Sequence, residues 1–566
     1  MILLMVVAGS GVVAGEDVND ELAKEMVVYK EGSNTYHIPN CSRLNGDTAG
    51  WTKMTLTEAE AKGARIKCGK CARILGRKYS INMYKRQPVE VKYDPNTEVC
   101  CNALWMSVHA RGCKNQLMQE KRKTMTLEAA DKAGWRIAEC CFHGYRRKYP
   151  QKELDDDTII AGTMEKNRWK HVAGCHRYWP SGSHARRPLK DWVADGYGIC
   201  GHCRKRGPSV ATISDADWKK MDSSTGIQEL PFTDPLASAE QFMGMRFFFP
   251  VTAWLRMYQQ YRSTGDKSSL DKLLVSARHY NKLSTEFPEF AQKKADDPEG
   301  AAYMLSMAMW SRIILQNART SPGYVSSEEI AEAETFLKTM LSVLEPNWEG
   351  RKDLDSEMGI PKQLADDFRS RQANRSINGI ATVGMMTAAI KDLQAIKGTK
   401  TYQPQIDHYR NIAIKSWLSF FKDSGYICKK NGGFYYAYRP EGKGRKVIDG
   451  CKVFKRPEDN SHYRFTVTGL VFLYESELVD DDFMTSVATA IHNGMKNRQG
   501  AFTCPCVPRK KVKNFRGESE EYIVLNAFKE GTSKGRGGDT DNLMQFAQYI
   551  KTLRADRSLI HLGGKE

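Results

Sequence analysis

After its first fifteen residues the chain has no apolar run long enough to cross a bilayer, which excludes a membrane-spanning helix from there on. Also lacking are a glycine-rich phosphate loop, a nucleophilic serine or cysteine motif and a histidine-rich catalytic metal motif. Their absence argues against nucleotide-driven, acyl-transfer and metal-hydrolytic chemistry. Acidic residues are in deficit: 67 Asp and Glu face 85 Lys and Arg, a formal net charge of +18. Residues 16–210 carry +12 of that excess. So basic an N-terminal part is suited to a polyanion, whether nucleic acid, an acidic polysaccharide or an anionic surface.

What is present begins with MILLMVVAGSGVVAG, residues 1–15, which hold no charge. The stretch has the length of a signal-peptide core and ends in the small residues Ala14 and Gly15, so it predicts a secreted or periplasmic protein. At 566 residues the chain is too long for one core, and two or more domains are expected. Its 15 cysteines are odd in number, and eight of them fall into CxxC, CxxH and HxxxC pairs, which favours metal over a pure disulfide framework. Cys428, Cys451, Cys504 and Cys506 stand outside those pairs and are open to disulfide pairing in an exported protein.

A repeat organises the first third. His37-x3-Cys41 is followed 27 residues later by Cys68-x2-Cys71, and His109-x3-Cys113 is followed 27 residues later by Cys140-x2-His143. A third copy runs from His171-x3-Cys175 to Cys200-x2-Cys203. Between the pairs, TLTEAEAKGARIKC and TLEAADKAGWRIAEC are near copies, and LKDWVADGYGIC takes the same place. Short helices are expected over Leu56–Lys62, Leu127–Ala133 and Leu189–Ala194. Two close ligand pairs can wrap one tetrahedral zinc, and four protein ligands make a structural site with no open position. Each module is too small for a sizeable core, so metal would supply folding energy. In the second module Cys100, Cys101 and Cys141 compete with His143 for the last position. The expected modules span 26–76, 88–148 and 160–206.

The pattern YH…C…A…G…C..C resembles the small zinc domain of the Ada DNA-repair family and its relatives. The resemblance implies a zinc-ribbon-like α+β fold. His37, His109 and His171 occupy the first ligand position, where the repair proteins have cysteine, and this puts methyl transfer in doubt.

Residues 207–231 hold Pro208, Ser209, Ser223, Ser224 and Gly226 and read as a linker. From there to about residue 560 the pattern is helical, with helices expected near 300–318, 327–345, 363–393, 404–423, 461–476, 480–497 and 539–553. The expected class is mainly α, with a helical domain over 232–560 preceded by three small zinc modules. LRMYQQYRSTGDKSSLDKLL resembles the helix-hairpin signature of six-hairpin (α/α) toroids, a fold of glycoside hydrolases and polysaccharide lyases. GGFYYAY and PEDNSH, within 432–462, look like the Tyr-rich loop and EDxSH segment of secreted members. NRSINGIATVGMMTAAI is similar to the Asn-led helix that lines the cleft of toroid lyases, with Arg375 and Ser376 where those enzymes often have His.

That resemblance implies β-elimination on a uronic-acid polymer. The reaction needs groups that neutralise the uronate carboxylate, a base for the C5 proton and an acid for the C4 oxygen. Asn374, Arg375 and Asn378 are the neutralising candidates; Tyr435, Tyr436, Tyr438 and His462 are the base and acid candidates, with Arg439 beside them. The rival enzyme is a glycoside hydrolase, for which Glu458 or Asp459 needs a second carboxylate from Asp366, Asp367, Asp539 or Asp541. A non-enzymatic protein that binds nucleic acid or polysaccharide through the zinc modules is the third reading.

Overall fold

The computed structural model describes most of residues 21–200 and 248–555; the longest stretches it leaves out within those ranges are 84–92, 173–183 and 497–519. The expected signal peptide (1–15) and linker (207–231) lie outside the described residues. The chain forms two compact units, residues 1–213 with 232–238, and 214–231 with 239–566. Among the described residues helix takes 63% and strand 12%, so the protein is mainly α, with most of the small sheets in its N-terminal part.

The first unit repeats one plan three times. In the first module β1 (Met26–Lys30) lies between β2 (Tyr36–His37) and β3 (Trp51–Thr55). In the second, β4 (Glu98–Asn102) lies between β5 (Ser107–Ala110) and β6 (Thr124–Thr126), and the short β7 (Arg136–Ile137) joins β5 in parallel. In the third, β8 (Ile159–Thr163) lies between β9 (His171–Val172) and β10 (His184–Pro188). A parallel bridge from Lys170 to Ile199 there stands where β7 stands in the second module.

A six-residue helix follows the third strand each time: α1 (Leu56–Ala61), after which the first module adds α2 (Gly69–Lys78), then α3 (Leu127–Lys132) and α4 (Leu189–Ala194). The starts are local chemistry. Thr55 accepts from the Glu58 N–H while the Glu58 carboxylate accepts from the Thr55 N–H, and Thr126 accepts from the Ala129 N–H. Leu56 and Leu127 then drop into cores of few residues, Val27, Val28, Ala59 and Leu75 in one case and Val99, Val108, Ala130 and Phe142 in the other.

The second unit is built of helical hairpins: α5 (Phe248–Thr264) with α6 (Lys267–Glu286), α7 (Leu305–Thr320) with α8 (Ser327–Trp348), α9 (Ala373–Lys397) with α10 (Gln403–Trp417), and α11 (Asn460–Glu475) with α12 (Asp481–Lys496). A final helix, α13 (Thr540–Ala555), follows. Gly265, at φ +71°, makes the first turn, and the Asp266 carboxylate accepts from the N–H groups of Ser268 and Ser269. The helix expected over 363–393 is two, Lys362–Ser370 and α9, because Gln372 is extended at φ −73°, ψ 141°.

The first helices of these pairs run in one direction. Arg312 reaches the Ala388 carbonyl, and further along Arg319 donates to the Asp392 carboxylate. Contacts therefore climb together on α7 and α9. On α9 and α11 the same climb goes from Asn378 on the Phe465 carbonyl to Gly384 beside Ser476. Tyr258 meets Phe546 and Arg262 meets Tyr549, so α13 runs with α5 and packs on it. Second helices return antiparallel; Trp254 donates to Ser276, and Trp310 meets Phe336.

Two small sheets interrupt the helices, β11 (Gly425–Ile427) with β12 (Phe434–Tyr436), and β13 (Gly444–Ile448) with β14 (Cys451–Phe454). They fall between α10 and α11, where the Tyr-rich loop is expected.

Candidate functional site

In the first module His37, Cys41, Cys68 and Cys71 converge, their ligand atoms all within 4.8 Å of one another. His37 Nδ1 lies 3.4 Å from Cys41 Sγ and 3.7 Å from Cys71 Sγ, and Cys41 Sγ lies 3.7 Å from Cys68 Sγ. Zinc bonds of about 2.3 Å to sulfur and about 2.0–2.1 Å to nitrogen imply a tetrahedron with S···S edges of about 3.8 Å and N···S edges of about 3.6 Å. These three distances match those edges, and the cysteines are free thiols. His37 is held edge-on by Trp51 at 5.5 Å. Cys68 stands at the N-terminus of α2. Burial opposes a charge there, but the N–H groups of Cys71 and Lys70 outweigh it and hold the thiol at about 7. Burial pushes Cys71 up to about 12. A cation that binds this set must therefore displace protons, as zinc does.

The second module gathers His109, Cys113, Cys140 and Cys141. Its edges are 3.4 Å from His109 Nδ1 to Cys113, 3.3 Å to Cys140 and 3.7 Å to Cys141, with 3.7 Å between Cys113 and Cys140. The fourth ligand atom in this cluster belongs to Cys141; the expected His143 lies outside the described residues. Cys100 and Cys101 are buried in β4 and do not join. The Ser107 hydroxyl lies 3.4 Å from His109 Nε2, so the ring's other nitrogen has a partner. Burial, with Arg136 and Arg122 near, keeps the imidazole below its ordinary pKa and thus neutral, as a ligand must be. This centre is the more open of the two, Cys140 being exposed.

In the third module His171 stands on β9, paired with β8 as His37 on β2 pairs with β1 and His109 on β5 with β4. Cys200 is buried; Cys175 and Cys203 lie outside the described residues.

In the helical unit, Asn374 and Asn378 lie one turn apart at the start of α9, both fully buried. Asn378 Nδ2 donates to the carbonyls of Asn374 (2.9 Å) and Phe465 (3.0 Å), which brings the start of α11, and with it the backbone of His462, to the same end of the bundle. Both amide atoms of Asn374 and Oδ1 of Asn378 have no hydrogen-bond partner among the described residues. Arg375 is already neutralised, 2.9 Å from the Glu299 carboxylate.

Tyr435 and Tyr436 are buried in β12, which packs on α12. The Tyr435 hydroxyl accepts from Asn431, and Tyr436 lies 4.2 Å from the Phe421 ring. Tyr438, Arg439, Glu458, Asp459 and Asp539 lie outside the described residues, as do the side chains of His462 and Asp541. Asp366 is exposed and pairs with Arg369.

Sequence reading missed a buried knot at the far ends of the same helices. Tyr258 and Tyr549 both donate to Glu475 Oε1, at 3.0 and 3.2 Å, and Arg262 donates to the Tyr258 hydroxyl and to Gln316. Burial raises the pKa of Glu475, against the pull of Arg262 and both tyrosines. The available signal was Tyr258 and Arg262 at i, i+4 on an apolar helix face. Compared with protein-family models, curated proteins and solved structures, the chain matches none of them.

Proposed function

We propose that this chain is a secreted carbohydrate-active enzyme, a polysaccharide lyase that cleaves a uronic-acid-containing polymer by β-elimination, with Ada-like zinc modules that bind or position the substrate. The observation that carries the reading is the pair Asn374 and Asn378. Buried polar atoms without partners are expensive, and they persist where a ligand or ordered water completes them. An amide pair offers both donors and acceptors, as a protonated or shared carboxyl and its neighbouring hydroxyls require. The ring of parallel first helices, with α13 packed back on α5, supports an (α/α) toroid. Three modules of one strand order support the Ada-like fold, and ligand edges of zinc dimensions support structural zinc. Cys428 is disulfide-bonded, which supports an oxidising compartment.

In this mechanism the Asn374 amide donates to the uronate carboxyl and draws charge from C5, while Asn378, its Nδ2 held by the carbonyls of Asn374 and Phe465, offers Oδ1 as an acceptor to the protonated carboxyl. A base takes the C5 proton, the electron pair forms the C4–C5 double bond, the C4–O bond breaks, and an acid returns a proton to the leaving oxygen. Tyr435, Tyr436, Tyr438 and His462 are the base and acid candidates. Arg375 positions Glu299 and the start of α9. A panel of acidic and neutral polysaccharides tests the reading. Gain of the ultraviolet band of the 4,5-unsaturated product together with new reducing ends is expected. Reducing ends alone would move the assignment to a hydrolase using Glu458 or Asp459.

A further inference from the structure

We infer that the outer face of α2 is a docking surface for an acidic polysaccharide chain, an inference that rests on the uronate reading above. Residues 62–86 contain nine Lys and Arg and no Asp or Glu. Within that run α2 turns Cys71, Ala72 and Leu75 inward, two turns of helix anchored by the metal ligands. The opposite face presents Lys70, Arg73 and Arg77 at i, i+3 and i+7, all exposed. At 1.5 Å per residue the stripe is about 10 Å long. Ile74 lies between the cations and is 42% exposed.

A solvated helix face normally interleaves acids with bases. Here Arg73 and Arg77 are like charges at i, i+4, which weakens the helix, and neither has an ion pair among the described residues. Lys70 donates only to the Ser42 hydroxyl. The other modules differ. Arg147 and Lys148 of the second pair with Asp131 and Glu128, and Arg187 and Lys190 of the third pair with Asp195 and Asp157. The first module pairs Lys78 with Glu25 but keeps Lys70, Arg73 and Arg77 for a partner outside the chain. A polyuronate suits the stripe better than a nucleic-acid backbone. It displays carboxylates beside the C–H faces of its sugar rings, and Ile74 provides the apolar contact between the charges.

The test is affinity electrophoresis of the full-length protein through gels holding polygalacturonate, alginate, hyaluronate or neutral dextran, with duplex DNA as a separate probe. Wild type should be retarded by at least one polyuronate and not by dextran, and retardation should weaken with salt. The variant Lys70→Gln, Arg73→Gln, Arg77→Gln should bind that polymer at least fivefold more weakly, with zinc content unchanged. A variant with Lys400→Gln, Lys415→Gln and Lys551→Gln removes as much charge from exposed sites in the helical unit and should bind as wild type does. Equal losses in both variants, no loss in the first, no retardation of wild type, or tighter binding of DNA than of every polyuronate would overturn the assignment. Cleavage is read separately by ultraviolet absorbance, so a failed lyase reading shows as retention without product.

Discussion

The sulfurs of Cys41 and Cys68 stand 3.7 Å apart, the edge of a tetrahedron of thiolates around zinc and far beyond a disulfide's length of about 2.05 Å. The same separation recurs between Cys113 and Cys140. Two modules of one chain thus close their 27-residue loops with the same arrangement of groups that could hold a metal ion, and the measurable consequence is metal.

The purified protein should carry zinc in both described centres and, with the third module, three ions per chain. Cys41→Ser and Cys113→Ser should each remove one ion by elemental analysis. Full zinc content in either variant would reject that centre.

Within the second centre, Cys141→Ala should lose its ion and His143→Ala should keep it. The thiol of Cys141 completes the described cluster. Retention by the first variant together with loss in the second would restore His143 as the ligand.

Asp131 is buried and accepts from Arg147 Nε at 2.8 Å, the Tyr145 hydroxyl at 3.0 Å and the Lys148 N–H at 2.7 Å. Asp131→Ala leaves all three without their acceptor and should destabilise the second module by about 2–3 kcal/mol. Amide hydrogen exchange over 93–149 reads this; unchanged protection would show the knot to be dispensable.

Glu475 has a folded-state pKa raised above its ordinary 4.5 by burial. A raised carboxyl contributes stability that is complete below the unfolded pKa and is lost as pH rises through the folded one. Arg262, Arg312, Tyr258 and Tyr549 face it and limit the loss. Glu475→Gln removes the titration, so its stability relative to wild type should improve as pH rises from about 4.5. Urea midpoints at several pH values decide; a gap between the two proteins that is constant with pH contradicts the argument.

Asn374→Ala removes two buried atoms that have no partner among the described residues, so thermal stability should hold or rise. Turnover on a polyuronate should fall by about 100-fold or more, the loss typical of one oxyanion-stabilising group. A structural asparagine would give the reverse, a lower melting temperature with activity kept.

Local and periodic features were legible in the sequence. The three helices that follow the third strands begin at Leu56, Leu127 and Leu189 as expected, because a leucine, with a threonine cap in the first two and Pro188 in the third, acts within one turn. The CxxC and HxxxC spacings pointed to the four residues that gather in the first cluster, since each pair sits on one short segment. The helical hairpins followed from 3.6-residue periodicity and from turns such as Gly265-Asp266.

Other facts depend on contacts between distant segments, which no local pattern encodes. Cys141 competes with three other residues for one position, and only the path of the chain after β7 turns its sulfur toward His109. Arg375 reads as a free cation until packing brings Glu299, 76 positions away, against it. Asn374 and Asn378 lie at the mouth of a helix in sequence, yet their burial and their missing partners depend on the approach of α11. Glu475 is unremarkable at the end of an apolar run until Tyr258, 217 positions earlier, donates to it. Sequence alone determined where segments turn, coil and gather ligands, because those choices are settled over a few residues. Tertiary structure decided which polar groups are satisfied and which are left waiting, because burial brings together side chains that the chain keeps far apart.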